Sequence, residues 1–297
     1  MKNLFKLHPT QSHLIPQNPT IISSLLYIYI IRYQNRLLVT SLIFVCSYSL
    51  AHEPYVAPLA YKTEQTQVPV VAGYAEEALN SEYALKDAKL TVITPKQDPK
   101  VINAEALHKS VTVFDVALPE DGTYILQTQA SYPLKYVYDQ KEWHLFFDLP
   151  ADKAPPKKER DYLIPADLKS KKIKTEEVTR EWVLQSYLSK GKVSDIQLPN
   201  TPIKVNFSVH PNQLKVTQAV QLTISEKGQN LPYAEINLRE KGATDKQVQH
   251  FKANDKGQVE LKFPKAGEYL MEVTAPVDLK LKPKNQNYTI VSLQVTE

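Results

Sequence analysis

The stretch PEDGTYIL (residues 119–126) recurs as PKAGEYLM (residues 264–271), and each copy directly follows a segment of alternating apolar and polar residues. The shared pattern, Gly-x-Tyr-x-apolar, is typical of a tyrosine corner, in which the phenol bonds back to the chain at a sandwich crossover. One copy in each half of the chain therefore predicts a pair of immunoglobulin-like β-sandwiches.

Alternating segments surround both copies of this repeat. Many are bounded by Gly, Pro or Asn, as half-buried antiparallel strands are. The segments are Lys89–Thr94, Val111–Val116, Tyr124–Gln129, Ile203–Val209, Val220–Ile224, Glu235–Arg239, Val259–Phe263 and Tyr288–Val295. We therefore predict a mainly β protein with two immunoglobulin-like or prealbumin-like antiparallel sandwiches, at residues 52–150 and 199–297.

A connector rich in Pro and Lys separates the two groups of strands, at residues 150–174. The segment after it has the features of a helix at residues 176–189, since acidic residues open it and Gly191 follows its end. Val178/Trp182 and Val183/Tyr187 are i,i+4 pairs that would form its buried stripe. The sequence thus predicts a connector at residues 151–198 that contains one helix.

Residues 1–51 have the features of a leader. An apolar run at residues 37–50 has about the 7–15 apolar residues of a signal-peptide core and is short for a membrane span. It is entered by Arg32 and Arg36 and ends in Ser49-Leu50-Ala51, with small side chains at the −3 and −1 positions. We predict cleavage after Ala51 and export. A second apolar patch, at residues 21–31, leaves two alternatives for the beginning of the chain: an over-extended start, or a leader retained as a membrane anchor.

The charge balance argues against a nucleic-acid partner. The formal net charge of +4 comes from the leader, which holds four of the 36 basic side chains and no acidic one. The remaining 32 basic side chains equal the 32 acidic side chains, whereas a nucleic-acid-binding protein keeps a basic surface.

Cysteine use narrows the possible ligands and partners. The single cysteine, Cys46, lies inside the leader's apolar run. The mature chain therefore has no disulfide and no disulfide-linked partner, and it offers a metal only nitrogen, oxygen and the thioether of Met271.

His52 would be the first residue of the cleaved chain. Its free amine and imidazole Nδ1 can close one chelate ring, which suits Cu(II), Ni(II), Co(II) or Zn(II). The alternative is that His52 is simply the residue that cleavage exposes. The other mature histidines are isolated in sequence; among them His144, in the aromatic segment Trp143–Phe147, is the first candidate for a further metal ligand, and His108 is the second.

No catalytic motif is recognisable. The chain lacks His-Glu-x-x-His, Gly-x-Ser-x-Gly, a P-loop and a dinucleotide fingerprint, so we expect no enzyme. Tyr132, Tyr136 and Tyr138 have the even spacing of one strand face. They form either a binding surface for a glycan or a partner, or the edge of a sandwich core.

Three stretches resemble a known family: residues 51–58 (AHEPYVAP), residues 179–191 (TREWVLQSYLSKG), and residues 231–238 (LPYAEINL) with the ANDKG and GEY motifs that follow. Together they are similar to an exported bacterial family of unknown function associated with periplasmic nickel and cobalt uptake (NikK-like). The resemblance implies a periplasmic location in a Gram-negative cell, a β-rich two-domain protein and a link to metal transport. One departure is that many relatives carry an early Gly-His pair where this chain reads Gly73-Tyr74.

Two functions follow as expectations. The first is a periplasmic accessory protein that binds or delivers a transition metal ion, with His52 as its primary ligand. The alternative is a structural module that docks a membrane transport component through strand edges or the tyrosine-bearing face.

Overall fold

The computed structural model describes residues 53–169 and 173–297, which belong to one compact unit, Tyr48–Glu297. The predicted leader, its cleavage site and His52 lie outside the described residues. Among the residues it describes, no helix is long and apolar enough to cross a membrane.

Strands make up the regular structure of the described residues, together with short 3-10 turns. In chain order the strands are β1 (Glu53–Pro58), β2 (Lys62–Thr63), β3 (Gln67–Ala75), β4 (Tyr83–Ala84), β5 (Lys89–Ile93), β6 (Pro99–Asn103), β7 (Ala106–Leu107), β8 (Thr112–Ala117), β9 (Gly122–Asp139), β10 (Glu142–Phe146), β11 (Tyr162–Leu163), β12 (Thr175–Lys190), β13 (Ile203–Phe207), β14 (Ala219–Glu226), β15 (Gln229–Asn230), β16 (Glu235–Glu240), β17 (Gln249–Lys252), β18 (Gln258–Lys262), β19 (Gly267–Thr274) and β20 (Gln286–Val295). The 3-10 turns are Ala151–Lys153, Lys157–Glu159, Pro165–Asp167, Pro211–Gln213 and Asp245–Gln247.

The strands form three sheets. The N-sheet has five strands in the order β1-β3-β8-β7, with β4 on β3. The central sheet has 11 strands in the order β11-β10-β9-β12-β20-β19-β16-β17, with β5 on β9, β6 on β5 and β2 on β12. The C-sheet has four strands in the order β13-β14-β15, with β18 on β14. Most pairs are antiparallel, while β12 runs parallel to β20.

The two small sheets cover opposite faces of the central sheet. Tyr124 and Leu126 of β9 lie in a core with residues of the N-sheet, whereas Ile125 between them lies in a second core with residues of the C-sheet. Neighbouring residues of a strand point to opposite faces, so this split places one core on each side of the sheet. The expected fold class, a mainly β protein of antiparallel sandwiches, is confirmed.

The predicted helix at residues 176–189 is wrong, because this segment is the strand β12. It pairs with β9 along its whole length, from Thr175 opposite Val137 to Lys190 opposite Gly122. Every residue from Trp182 to Ser189 is buried, since both faces of this part of the sheet are covered. A strand covered on both faces loses the alternation that identifies strands in a sequence, and its apolar residues then match a helical stripe by coincidence.

Both tyrosine corners are confirmed. The Tyr124 hydroxyl donates to the Glu120 carbonyl at 2.8 Å, and the Tyr269 hydroxyl donates to the Lys265 carbonyl at the same distance. Both tyrosines are fully buried, each at the start of a long strand of the central sheet. The repeat therefore marks the same local structure in the two halves of the chain.

Removing the hydroxyls tests the two corners. We expect Tyr269→Phe to lower the free energy of unfolding by about 1 kcal/mol, the usual net contribution of one hydrogen bond. Tyr124→Phe should cost more, because the Tyr124 hydroxyl also accepts from the Glu120 backbone N–H at 2.9 Å. Urea denaturation of both variants measures the difference. A Tyr124→Phe variant as stable as the unchanged protein would contradict this account of the corner.

Candidate functional site

A group of charged side chains, of which Glu53, Arg239 and Glu272 are buried, lies where β1 begins. We call it the charge cluster; it consists of Glu53, Arg180, Arg239, Asp245 and Glu272. On β16 and β19, Leu238 and Met271 point into the second core, so the alternate residues, Arg239 and Glu272, lie on the face that the N-sheet covers. Strand geometry thus directs these charges inward towards β1.

Arg239 joins the beginning of the described chain to its second half. Its Nη2 forms an ion pair with the Glu53 carboxylate, and its Nη1 donates to Asp245 Oδ1 at 2.8 Å. Nη1 also lies 3.3 Å from the Glu76 carbonyl oxygen. The side chains of Arg239 and Glu53 are only 3% and 11% exposed, so this pair holds the beginning of β1 against β16 with little access to water.

Glu272 lies on β19, the strand that pairs with β16. Its Oε1 accepts a hydrogen bond from Asn237 Nδ2 at 3.2 Å, and Asn237 Oδ1 lies 2.8 Å from His250 Nδ1. A chain of polar contacts therefore runs from the buried Glu272 carboxylate to the imidazole of His250 in β17.

Arg180 supplies the second guanidinium of the cluster. It lies on β12 with its Cζ 5.7 Å from the centre of the Tyr288 ring, and its charge is the largest influence opposing burial at Glu272. Trp182, two residues further along β12, lies against the same tyrosine with ring centroids 5.8 Å apart. These aromatic rings close the cluster on the side of the first core.

The carboxyl groups of the charge cluster outnumber its guanidinium groups. Burial raises the pKa of Glu53, and the charge of Glu272 raises it further against the opposing effect of Arg239. Burial also raises the pKa values of Glu272 and Asp245, despite the nearby guanidiniums. Three carboxyl groups share two guanidiniums, and an additional cation would favour their ionised forms.

His144, the first candidate for a further ligand, lies in β10 beside a cavity of about 280 Å³. Asp139, Arg160 and Asp161 line the same cavity. Burial raises the pKa of Asp161, and the charges of Arg180 and Asp245 also act on it. Asp161 therefore lines the cavity of His144 and is within range of two charges of the cluster.

His108, the second candidate, lies elsewhere. It is exposed in the turn between β7 and β8 of the N-sheet, where its backbone N–H donates to the Val111 carbonyl at 2.9 Å. His144 and His108 thus belong to different sheets. Within residues 53–169 and 173–297, no group of three or more His, Cys, Asp or Glu side chains is arranged to hold a metal ion.

His210 and the evenly spaced tyrosines have structural roles. His210 Nδ1 accepts a hydrogen bond from the Asn212 backbone N–H at 3.1 Å, which caps a 3-10 turn. Of the evenly spaced tyrosines, Tyr136 is buried, whereas Tyr132 and Tyr138 are 49% and 37% exposed. This face is therefore part core and part surface.

A comparison with models of known protein families identifies the family of this chain. The model of DUF4198, a domain of unknown function, matches residues 49–276. The chain belongs to the DUF4198 family. The matched region includes every residue of the charge cluster and both tyrosine corners.

Solved structures similar to this DUF4198 chain are strand-rich. Three fibronectin type III domains (FN1–FN3) of chicken CNTN1 show 8% identity with a TM-score of 0.23 over 82% of this chain and 100% of that one. A two-domain fibronectin type III segment of chicken tenascin shows 9% identity and a TM-score of 0.22, covering 82% of this chain and 98% of that one. Domains MG0-NIE-MG1 of Escherichia coli α2-macroglobulin show 11% identity and a TM-score of 0.21, covering 80% and 63%. Scores this low carry no argument about function. A comparison with curated proteins gives no match.

Proposed function

We propose that this protein is an exported accessory protein, with no enzymatic activity, that captures a first-row transition metal ion in the periplasm and delivers it to a membrane transport component. One observation carries the proposal: the strand that directly follows His52 begins in a buried cluster with more carboxyl groups than guanidiniums. A chain cleaved after Ala51 would begin one residue ahead of this cluster.

His52 and the charge cluster would contribute different groups to a metal site. The amine and imidazole of His52 form a chelate that suits Ni(II), Co(II), Cu(II) or Zn(II). A bound cation would favour the ionised forms of the cluster's carboxyl groups, and in surroundings of low dielectric constant their attraction to the cation is stronger than in water. Resemblance to the nickel- and cobalt-associated family supports these two metals among the four.

Capture and delivery need no covalent step. Nitrogen and oxygen ligands of the protein replace water on the ion during capture, and ligands of the membrane component replace them during delivery. The residues proposed for capture are His52, with His144 as the first further ligand and His108 as the second. Glu53 directly follows His52 in the chain, and Asp161 lines the same cavity as His144.

Calorimetric titration of the chain that begins at His52 tests the proposal. We expect one of Ni(II), Co(II), Cu(II) and Zn(II) to bind tightly. One extra residue ahead of His52 converts the amine to an amide and should weaken binding by about 100-fold or more, since even loss of an outer-shell contact costs about 10–100-fold.

Variants of the other histidines refine the test. His144→Asn should weaken binding of the same metal. His108→Asn should weaken it less, because His108 is the second candidate and lies in a turn of a different sheet. Equal binding by the chains with and without the extra residue, or binding by neither, would remove His52 as a ligand and with it the proposed capture site.

The alternative, a module that docks a transport component, has an observation of its own. On the edge of β9 away from β12, β5 pairs with β9 only as far as Gln127, and the pairing of β9 with β10 begins only at Lys135. An open cleft of about 490 Å³ borders this part of β9. Its lining includes Gln129, Ala130 and Ser131 of β9 and Glu181, Trp182 and Val183 of β12. An extended peptide could add a strand there. The extra residue ahead of His52 should not change this docking function.

A further inference from the structure

The loop between β19 and β20 exposes a row of apolar side chains. Val277, Leu279 and Leu281 are 46%, 47% and 63% exposed. Single exposed apolar residues are ordinary on protein surfaces. Three at every second position of one loop are a continuous apolar feature, which is typical of an interaction site.

This exposure does not come from a loose attachment of the loop. The Leu279 carbonyl accepts from the Trp143 backbone N–H at 2.8 Å, and Asn285 Oδ1 accepts from the Thr179 backbone N–H at 3.0 Å. Within the loop, the Leu281 backbone N–H donates to the Asp278 carbonyl at 3.1 Å. The loop is thus fixed to β10 through its backbone and to β12 through the Asn285 side chain, while the side chains of Leu279 and Leu281 stay exposed.

Basic side chains alternate with these apolar ones. Lys280, Lys282 and Lys284 are exposed, and Asp278 is the one acidic residue of the loop sequence PVDLKLKPKN at 276–285. Lys282 lies 3.0 Å from Glu176 and is still 66% exposed. The loop therefore presents leucines with positive charges between them on the same surface.

We propose that this loop docks the protein on a bilayer surface with anionic headgroups. Leucines that enter the boundary between headgroups and acyl chains, with lysines that contact the headgroups, are the combination that binds peripheral proteins to membranes. Charge complementarity selects an anionic surface over a neutral one. The proposal goes beyond metal capture and does not depend on it, although it would place the protein beside a membrane component.

Sedimentation with vesicles tests the docking surface. The chain beginning at His52 is mixed with vesicles of phosphatidylcholine, with and without phosphatidylglycerol, in the presence of EDTA so that no metal bridges protein and lipid. We expect binding to the anionic vesicles only. Leu279→Ser/Leu281→Ser should weaken it by about tenfold or more. Lys280→Gln/Lys282→Gln/Lys284→Gln should abolish the preference for anionic lipid.

The matched control removes two equally exposed leucines from the N-sheet side. Leu59 and Leu107 are 67% and 58% exposed, and Leu59→Ser/Leu107→Ser should bind as the unchanged protein does. Thermal unfolding of all variants verifies that they are folded. Absence of binding to both vesicle types, or an equal loss in the control and loop variants, would overturn the proposal. Because EDTA removes metal, this outcome is separate from the failure of metal capture.

Discussion

Arg239→Met is expected to lower the free energy of unfolding by about 3–5 kcal/mol, because it leaves buried carboxylates without their partner. Arg239 forms ion pairs with both Glu53 and Asp245, and its own side chain is only 3% exposed. Methionine keeps much of the volume of the arginine stem, so the loss reports charge and hydrogen bonding more than a cavity. Urea denaturation at neutral pH measures it.

Lys241→Met is the matched control, on the residue that directly follows β16. Lys241 forms a surface pair with Glu268 at 3.0 Å, and the two side chains are 49% and 30% exposed. Exposed pairs contribute about 0–1 kcal/mol, so this variant should lose little. If Arg239→Met lost no more than Lys241→Met, the charge cluster would have no role in holding β1 in place.

The double variant Glu53→Gln/Arg239→Met separates the pair from its surroundings. Part of the loss should be recovered because Glu53→Gln removes the carboxyl group that Arg239→Met leaves without its partner. The difference from additivity with the two single variants measures the coupling between the two residues. Their separation of 186 residues in sequence makes this a long-range link between the first strand and the second half of the chain.

The sequence predicted the local features of the fold that depend on few residues. Gly122 and Tyr124, with Gly267 and Tyr269, identified two corners whose hydrogen bonds span four residues. The fold class followed from the alternation in half-buried strands. These signals are local, so a single sequence contains them in full.

The charge cluster could not be predicted in this way. Asn237 and Arg239 alternate with Ile236 and Leu238, which reads as a strand with one face in water. In the structure the N-sheet covers that polar face, so the same alternation places Arg239 against Glu53. Which face of a strand is covered depends on distant segments, and no local pattern records it. The cavity that His144 shares with Asp161 could not be predicted for the same reason, because it also depends on segments that are distant in sequence. The contacts of His52 stay a prediction.

Leu184→Ala is the second substitution with a large expected effect, about 3–5 kcal/mol in the free energy of unfolding, and it tests whether β12 is a strand covered on both faces. Leu184 is fully buried in the first core, while Tyr187 on the same strand is buried in the second. A helix with a stripe of Val178, Trp182, Val183 and Tyr187 would place Leu184 outside the stripe, where truncation to alanine costs little.

The exposed Glu181 in the same strand supplies the control, since Glu181→Ala should change the free energy of unfolding by less than about 0.5 kcal/mol. Denaturation of both variants measures the contrast. A small loss for Leu184→Ala would show that this face of β12 is not covered. A large loss for both Leu184→Ala and Tyr187→Ala is what a strand between two sheets requires, because the two side chains lie in different cores and each truncation leaves its own cavity.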